Sequence, residues 1–154
     1  MFISALISKA SDKWYVLILF FIIGMLYSLK AQDLDSHRWK DRVLLLYTDD
    51  LKNPEYLRQT RALQDGPGEL EERSLVVYTL HENRYARGLP PVSWEKGSLK
   101  GFKAKDIETF RLVLIGLDGG VKLQESGFVD PVTLWRLIDT MPMRRAELKN
   151  KGTP

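Results

Sequence analysis

Hydrophobic positions along this chain form one amino-terminal apolar block and several shorter runs separated by polar turns. Residues 42–48 read Arg-Val-Leu-Leu-Leu-Tyr-Thr, a continuous run that predicts a strand buried on both faces, in the middle of a sheet. Residues 53–55, Asn-Pro-Glu, supply a capping side chain, a first-turn proline and an acid, and predict a helix to about Leu63. Residues 75–80 predict a second strand, so the order strand, helix, strand implies a parallel pair with a right-handed crossover.

The second half of the chain predicts a hairpin and a closing helix. Residues 111–116 and 121–124 are two β-rich runs on either side of the Asp-Gly step at 118–119. That step favours a type I′ turn, because both central residues of such a turn need positive φ. An Asp-Pro pair at 130–131 opens a helix that Pro142 ends. These two hairpin strands are therefore predicted to be antiparallel, with the last helix after them.

The stretch from His81 to Lys105 is rich in glycine, proline and charge. A loop of that length without secondary structure is unusual inside a small domain, so a short helix is predicted around residues 94–102. The order of elements predicts an α/β fold, a thioredoxin-like three-layer sandwich with a mixed central sheet and helices on both faces. This domain is predicted to span residues 32–148, and residues 149–154 are predicted to be a disordered tail.

The amino-terminal block has the layout of a secretory signal. Lys9 and Lys13 precede residues 14–29, which carry no charge. The run is shorter than the roughly 20 residues that span a bilayer comfortably, and Ala31 offers a small residue at a plausible cleavage point. Residues 1–31 are therefore predicted to be a signal peptide, with a single-pass membrane anchor as the alternative. We expect an exported protein, either released into the periplasm or extracellular space or held in the membrane.

Charge and composition exclude several classes of function. Residues 1–31 hold three of the 23 bases and one of the 20 acids, which leaves 20 basic against 19 acidic side chains in the rest of the chain. A nearly neutral domain lacks the positive surface that nucleic acids require, so no nucleic-acid partner is expected. The chain has no cysteine. Dithiol oxidoreductase and thiol peroxidase activities are therefore excluded, as are disulfides and thiolate metal sites.

Four segments of the sequence resemble one known family. They are residues 39–46 (Trp-Lys-Asp-Arg-Val-Leu-Leu-Leu), residues 72–73 (Glu-Arg), residues 114–123 at the hairpin, and the run Ile-Asp-Thr-Met-Pro-Met-Arg-Arg at 138–145 together with Glu147. On these segments the chain is similar to the family catalogued as domain of unknown function 4174, which is regarded as thioredoxin- or peroxiredoxin-like. Related modules occur in secreted and matrix-associated animal proteins. The resemblance implies a fold, and no established activity or catalytic residue comes with it.

The departure from redox-active thioredoxin-like proteins suggests one candidate site. Those enzymes place a nucleophilic cysteine after the first strand, at the start of the next helix. Here Asp49 and Asp50 occupy that junction, where ligands usually bind in open α/β sheets. They are candidates for a general base or for holding a hard cation, with Arg111 or Gln59 as a candidate partner, and a solvated turn is the plain alternative. Neither histidine belongs to a metal-binding motif, so no metal site and no cofactor are expected.

Binding candidates are spread along the chain. Trp94 lies in a basic stretch, residues 84–105, and Arg144 and Arg145 follow the last predicted helix, while Gln59 lies on the first helix. Each has a plainer interpretation, as a solvated loop, as cations beyond a helix end or as an exposed helix face.

Two functions therefore remain open from the sequence. The favoured function is a redox-inactive binding or interaction module of the cell envelope. Its partner would be an unknown protein or an anionic ligand. It would contact a membrane only through residues 14–29, if these are not cleaved. The alternative is a non-thiol enzyme that uses the carboxylates of Asp49 and Asp50, with or without a metal ion.

Overall fold

A six-stranded mixed sheet organises the residues that the computed structural model describes, which are 34–99 and 109–152. The elements follow in the order 3-10 helix (Leu34–His37), β1 (Arg42–Thr48), α1 (Pro54–Gln64), α2 (Pro67–Glu72), β2 (Leu75–His81), β3 (Arg84–Arg87), β4 (Trp94–Lys96), β5 (Phe110–Ile115), β6 (Val121–Ser126), α3 (Pro131–Thr140) and α4 (Pro142–Lys151). The strand order is β4-β3-β2-β1-β5-β6, with β1 and β2 parallel and every other neighbouring pair antiparallel. The predicted α/β class is confirmed, and the arrangement is compatible with a thioredoxin-like sandwich.

Strand β1 lies in the centre of the sheet because its side chains are apolar on both faces. All seven of its residues are buried, as the continuous apolar run predicts. Leu44 and Leu46 pack on the face that α1 and α3 cover, together with residues such as Leu63 and Ile138 of these helices. Successive side chains of a strand point to opposite faces, so Leu45 and its neighbours form a second core on the other side.

The second face of the sheet is covered differently. Its core is aromatic and aliphatic, with Tyr78 and Tyr85 in edge-on contact. Within the described residues, this face is covered by the 3-10 helix, which contributes Leu34, and by the segment that contains the buried Leu99. The 3-10 helix is fixed to the sheet by His37, whose Nε2 lies 2.9 Å from the Tyr78 hydroxyl.

Both predicted helix starts are confirmed by their caps. The Asn53 side chain accepts hydrogen bonds from the N–H groups of the first turn of α1, and Asp130 does the same for α3. Proline follows the cap in each helix, where its missing N–H costs nothing.

Pro142 ends α3, as predicted, but it also begins a helix that the sequence analysis does not predict. Met141 has extended backbone angles, and α4 starts at Pro142 and continues to Lys151. Proline has no N–H to donate, so it cannot continue a helix that precedes it. At the first position of a new helix that N–H would have no partner inside the helix, so proline is tolerated there. Residues 149–151, predicted as part of a disordered tail, are therefore helical.

Two further local predictions are corrected. The β5–β6 hairpin is confirmed, but its loop is longer than the predicted two-residue turn. Gly116 donates its N–H to the Gly120 carbonyl, so residues 116–120 form the loop. Within that loop only Gly119 has positive φ, whereas a type I′ turn needs two such residues. Residues 94–96 form strand β4 on β3 rather than a helix. Residues 100–102 of that predicted helix lie outside the described residues.

The predicted signal or anchor, residues 1–31, also lies outside the described residues. In the two described ranges, every helix is too short or too polar to cross a membrane.

Candidate binding site beside a buried arginine cluster

Three arginine side chains are almost completely buried at one end of the sheet. Arg42 begins β1, Arg73 follows α2, and Arg144 lies in the first turn of α4, with 1%, 8% and 1% of their side-chain surfaces exposed. Isolated charges are not buried without partners, because desolvation of an ion costs several kcal/mol, on the order of 5. Four acids with partly exposed side chains surround these arginines: Glu69, Glu72, Asp139 and Glu147.

Arg144 is the centre of this arginine cluster. Its Nε lies 3.1 Å from Asp139 Oδ1, and its Nη2 lies 2.5 Å from Glu72 Oε1. Its Nη1 donates to the Glu72 carbonyl at 2.9 Å and to Glu147 Oε2 at 3.3 Å. Every nitrogen of the Arg144 guanidinium group therefore has a protein partner.

The other two arginines are joined to Arg144 through shared acids. Arg73 binds Asp139 Oδ2 at 2.6 Å, so Asp139 bridges two arginines. Arg42 binds Glu147 Oε1 at 2.8 Å and donates to the Arg73 carbonyl at 2.8 Å. The cluster is thus a closed network that ties β1, α2, α3 and α4 together.

The network changes the acidity of its carboxylates. Burial alone would raise the pKa of Asp139, but hydrogen bonds from Arg73 and Arg144 outweigh it and hold this pKa below its usual value. For Glu147 burial is again opposed by its two arginine partners, chiefly Arg42, and its pKa is also lowered. Both acids are therefore ionised in the folded protein at any pH near neutrality.

Acid is expected to destabilise the fold through these two carboxylates. Because their pKa values are lower in the folded than in the unfolded state, their contribution is present above the ordinary carboxyl pKa values, 3.8 for Asp139 and 4.5 for Glu147, and is lost as pH falls through the lowered values. Denaturant unfolding at a series of pH values should show a nearly constant free energy above about pH 5.5 and a fall below about pH 4.5. The Asp139→Asn variant should have a shallower fall, and an equal slope in both proteins would contradict this assignment.

The cluster gathers three of the four segments on which the family resemblance depends; residues 114–123 do not take part in it. Residues 39–46 contribute Arg42, residues 72–73 contribute both of their side chains, and the closing run contributes Asp139 and Arg144. These segments are far apart in the sequence and meet only in the fold. Since the guanidinium of Arg144, a predicted anion-binding residue, is fully engaged by the protein, the cluster itself acts as a structural tie.

A pocket of about 240 Å³ lies directly beside the cluster. It is formed where the β5–β6 loop meets the junction of α3 and α4, against the start of β1. Its lining residues are Arg42, Gly116, Leu117, Asp118, Lys122, Met141, Pro142 and Met143. Leucine, methionine and proline side chains make its walls mostly apolar, and Lys122 Nζ pairs with Asp118 Oδ2 at 2.6 Å within the lining.

Two features give this pocket a positive character. Helix α4 begins in its wall at Pro142, and no side chain caps that helix end. The first N–H groups of a helix have no partner inside the helix, and the helix dipole adds a partial positive charge there. Arg42 forms another part of the wall; its guanidinium is paired with Glu147, and its Nε, which has no hydrogen-bond partner among the described residues, is shielded from solvent. Apolar walls and a positive end are the combination that holds an anionic group on a small apolar body.

The predicted carboxylate site is at the opposite end of the sheet. Asp49 and Asp50 are exposed beyond the carboxyl end of β1, where Asp50 Oδ1 accepts a hydrogen bond from the Lys52 N–H at 2.8 Å. Arg111 is paired in register with Tyr47, whose pKa burial raises, and the arginine charge partly opposes that rise. The described parts of the chain hold no group of three histidine or acidic side chains placed for a metal ion. A role in catalysis for these residues stays a prediction.

The remaining binding candidates lie apart from the pocket. Gln59 is fully buried and accepts the Val129 N–H at 2.8 Å, so it joins α1 to the segment before α3. Trp94 lies half-buried on β4, with the Arg84 guanidinium 5.6 Å from its ring. Arg145 is exposed.

The sequence analysis does not single out the pocket. Its glycine, lysine and methionine residues carry no chemical motif of their own. The signal that was present is indirect, because residues 114–123 and 138–145 are both among the segments that resemble the family and both line the pocket.

The fold and the site define the class of the protein as a cysteine-free α/β domain with a mixed sheet, a buried arginine cluster and an adjoining pocket. A family model described as domain of unknown function (DUF4174) matches residues 33–147. The chain therefore belongs to the DUF4174 family. No curated protein matches the sequence significantly.

Proposed function

We propose that this protein is an exported, redox-inactive binding module whose ligand occupies the pocket beside the arginine cluster. The observation that carries the proposal is the placement of apolar walls against the uncapped start of α4, with Arg42 and Lys122 in the same lining. An anionic group would approach the free N–H groups of α4, and a small apolar body would fill the space between Leu117 and the two methionines.

The arginine cluster supports binding by keeping the pocket walls fixed. Arg42 is held by Glu147, and the first turn of α4 is held by the contacts of Arg144. A site whose walls are ordered before binding loses less conformational entropy when the ligand arrives. The same network that stabilises the domain therefore pre-organises its pocket.

The size of the pocket limits the ligand. Sites for drug-sized molecules have volumes of roughly 300–1,000 Å³, and this pocket of about 240 Å³ falls just below them. A small carboxylate or phosphate ester fits this space better than a nucleotide or an oligosaccharide.

The place of action is proposed from the amino-terminal pattern. A basic leader followed by the uncharged residues 14–29 supports export to the cell envelope. The absence of cysteine is what makes the module redox-inactive.

The proposal is tested by a thermal-shift screen of the full chain against small carboxylates and phosphate esters. A ligand that binds only the folded state raises the melting temperature. Gly116→Val should weaken the binding of any ligand found by at least about tenfold, because a Cβ atom at residue 116 would lie 2.5 Å from Lys122 Cε and 2.9 Å from Asp118 Oδ1, and the larger side chain would narrow the pocket.

Two companion variants separate loss of binding from loss of the fold. Gly68→Val is the matched control, since a Cβ atom there meets nothing within 4 Å. Lys122→Met removes the cation from the lining without touching the arginine cluster and should also weaken binding. Ligand binding that survives both pocket substitutions, or that Asp49→Asn and Asp50→Asn abolish instead, would contradict the proposal and favour the carboxylate site.

A further inference from the structure

The end of the sheet at which β1 begins presents an exposed tryptophan. Trp39 has 60% of its surface exposed, although it is large and apolar. Its φ of 64° lies in the left-handed region, which a bulky residue rarely adopts. This backbone is held by a hydrogen bond of 2.7 Å from the Trp39 N–H to the Leu117 carbonyl, in the β5–β6 loop. The fold thus keeps an aromatic side chain turned towards its surroundings rather than into the core.

The surface around Trp39 is continuous with the β5–β6 hairpin. The Arg38 guanidinium lies 5.7 Å from the centre of the Trp39 ring, and the same side chain runs alongside Gly119. Val121, the first residue of β6, is half exposed at the same end of the sheet. We call the surface formed by Arg38, Trp39, Lys40, Gly119 and Val121 the entry surface.

The charge of the entry surface favours an anionic partner. Arg38 and Lys40 are both exposed, and neither forms an ion pair with another described residue. Of the nearby acids, Asp41 lies 2.8 Å from His37 and Asp118 lies 2.6 Å from Lys122, while Asp35 is exposed three residues before Arg38. The residues directly before and after the tryptophan in the sequence are both basic.

The sequence between the uncharged run and the first described residue is short. The uncharged run at residues 14–29 is followed by only residues 30–33 before the first described residue, Leu34. An extended chain from Leu29 to Leu34 covers at most about 17 Å. Tryptophan is enriched at membrane–water interfaces, and basic residues next to a membrane segment are attracted to anionic lipids.

We propose that the entry surface rests on an anionic bilayer, with residues 14–29 retained as the membrane anchor. Trp39 lies at the level of the lipid headgroups, and Arg38 and Lys40 contact their phosphates. The proposal takes the anchor alternative for the amino-terminal segment. Trp39 and Val121 do not line the pocket, although the entry surface and the pocket share the β5–β6 loop.

The absence of cysteine makes a direct test possible. A single introduced cysteine can carry a fluorophore without background labelling. Val121→Cys places the label on the entry surface, and Val132→Cys is a matched control, because both valines are 50% exposed while Val132 begins α3 at the opposite end of the sheet. Each full-length variant is reconstituted in vesicles of phosphatidylglycerol and phosphatidylcholine that contain a lipid with a spin-labelled headgroup.

Quenching of the label on residue 121 is expected to be at least twice that on residue 132, and to fall in vesicles of phosphatidylcholine alone. Arg38→Ser with Lys40→Ser, both exposed positions, should reduce the quenching in anionic vesicles towards the neutral value. Equal quenching of the two labels would overturn the proposal. So would an intact mass showing that the protein recovered from expressing cells has lost residues 1–31.

Discussion

Replacing Arg144 with methionine is expected to lower the free energy of unfolding by about 3 kcal/mol. The substitution keeps a long apolar side chain but removes the guanidinium group that binds Asp139, Glu72 and Glu147. It also leaves the Glu72 carbonyl without the hydrogen bond that Arg144 Nη1 donates to it. Removal of one partner from a buried ion network is costly because the remaining acids stay partly desolvated but lose the hydrogen bonds and the opposite charge that offset this desolvation.

The neighbouring residue supplies the control for this variant. Arg145 follows Arg144 on the same helix but is exposed, so Arg145→Met should change the free energy of unfolding by no more than about 0.5 kcal/mol. Urea unfolding followed by far-ultraviolet circular dichroism measures both. Similar small changes in the two variants would show that the cluster does not hold the helices together.

Replacing Leu45 with alanine is expected to cost about 3 kcal/mol, within the usual range for a buried leucine. Leu45 is fully buried, and it belongs to the core on the face of the sheet opposite α1 and α3. Leu46→Ala, on the helix-covered face, should cost about as much. The losses of unfolding free energy in these two variants therefore compare how tightly the two faces of the sheet are packed.

An exposed leucine calibrates the comparison. Leu57 on α1 is 45% exposed, and Leu57→Ala should cost less than about 1 kcal/mol. Each loss is again measured from the midpoint of urea unfolding. The dependence of the unfolding free energy on urea concentration should be the same in all variants. A cost for Leu45→Ala close to that of Leu57→Ala, with a large cost for Leu46→Ala, would mean that the second face is not tightly packed.

The elements that the sequence predicts well are those with local causes. The limits of β1, Arg42–Thr48, follow from an uninterrupted apolar run, and the starts of α1 and α3 follow from a cap and a proline adjacent in the chain. The elements that it misses have weak or ambiguous local signals. Strand β3 has only two buried residues between two exposed arginines, and Pro142 ends one helix and starts another with the same chemistry.

The candidate site is harder to predict because it is made by distant residues. The bonds from Arg42 to Arg73 and to Glu147 span 31 and 105 positions of the sequence, and no periodicity shows such pairs. The predicted site at Asp49 and Asp50 came from a general expectation about strand ends, whereas the pocket arises where a hairpin loop meets a helix junction. In the sequence, only the family resemblance indicated that residues 114–123 and 138–145, which line the pocket, belong together.

For the proposed exported setting, the arginine cluster would supply stability in place of disulfides. Small exported domains often depend on such cross-links for stability. Here the network joins the start of β1 to the ends of three helices, across both halves of the chain. The same contacts fix the wall of the pocket, which links the stability of the domain to its proposed function.

Nuclear magnetic resonance of the full, isotopically labelled chain tests the central claim most directly, with titration of small carboxylates and phosphate esters. If the pocket is the binding site, the amide signals of Gly116, Lys122 and Met143 shift in a saturable manner, while those at the opposite end of the sheet do not. Saturable shifts that centre instead on Asp49 and Asp50, with the pocket signals unmoved, would contradict the account and move the function to the carboxylate site.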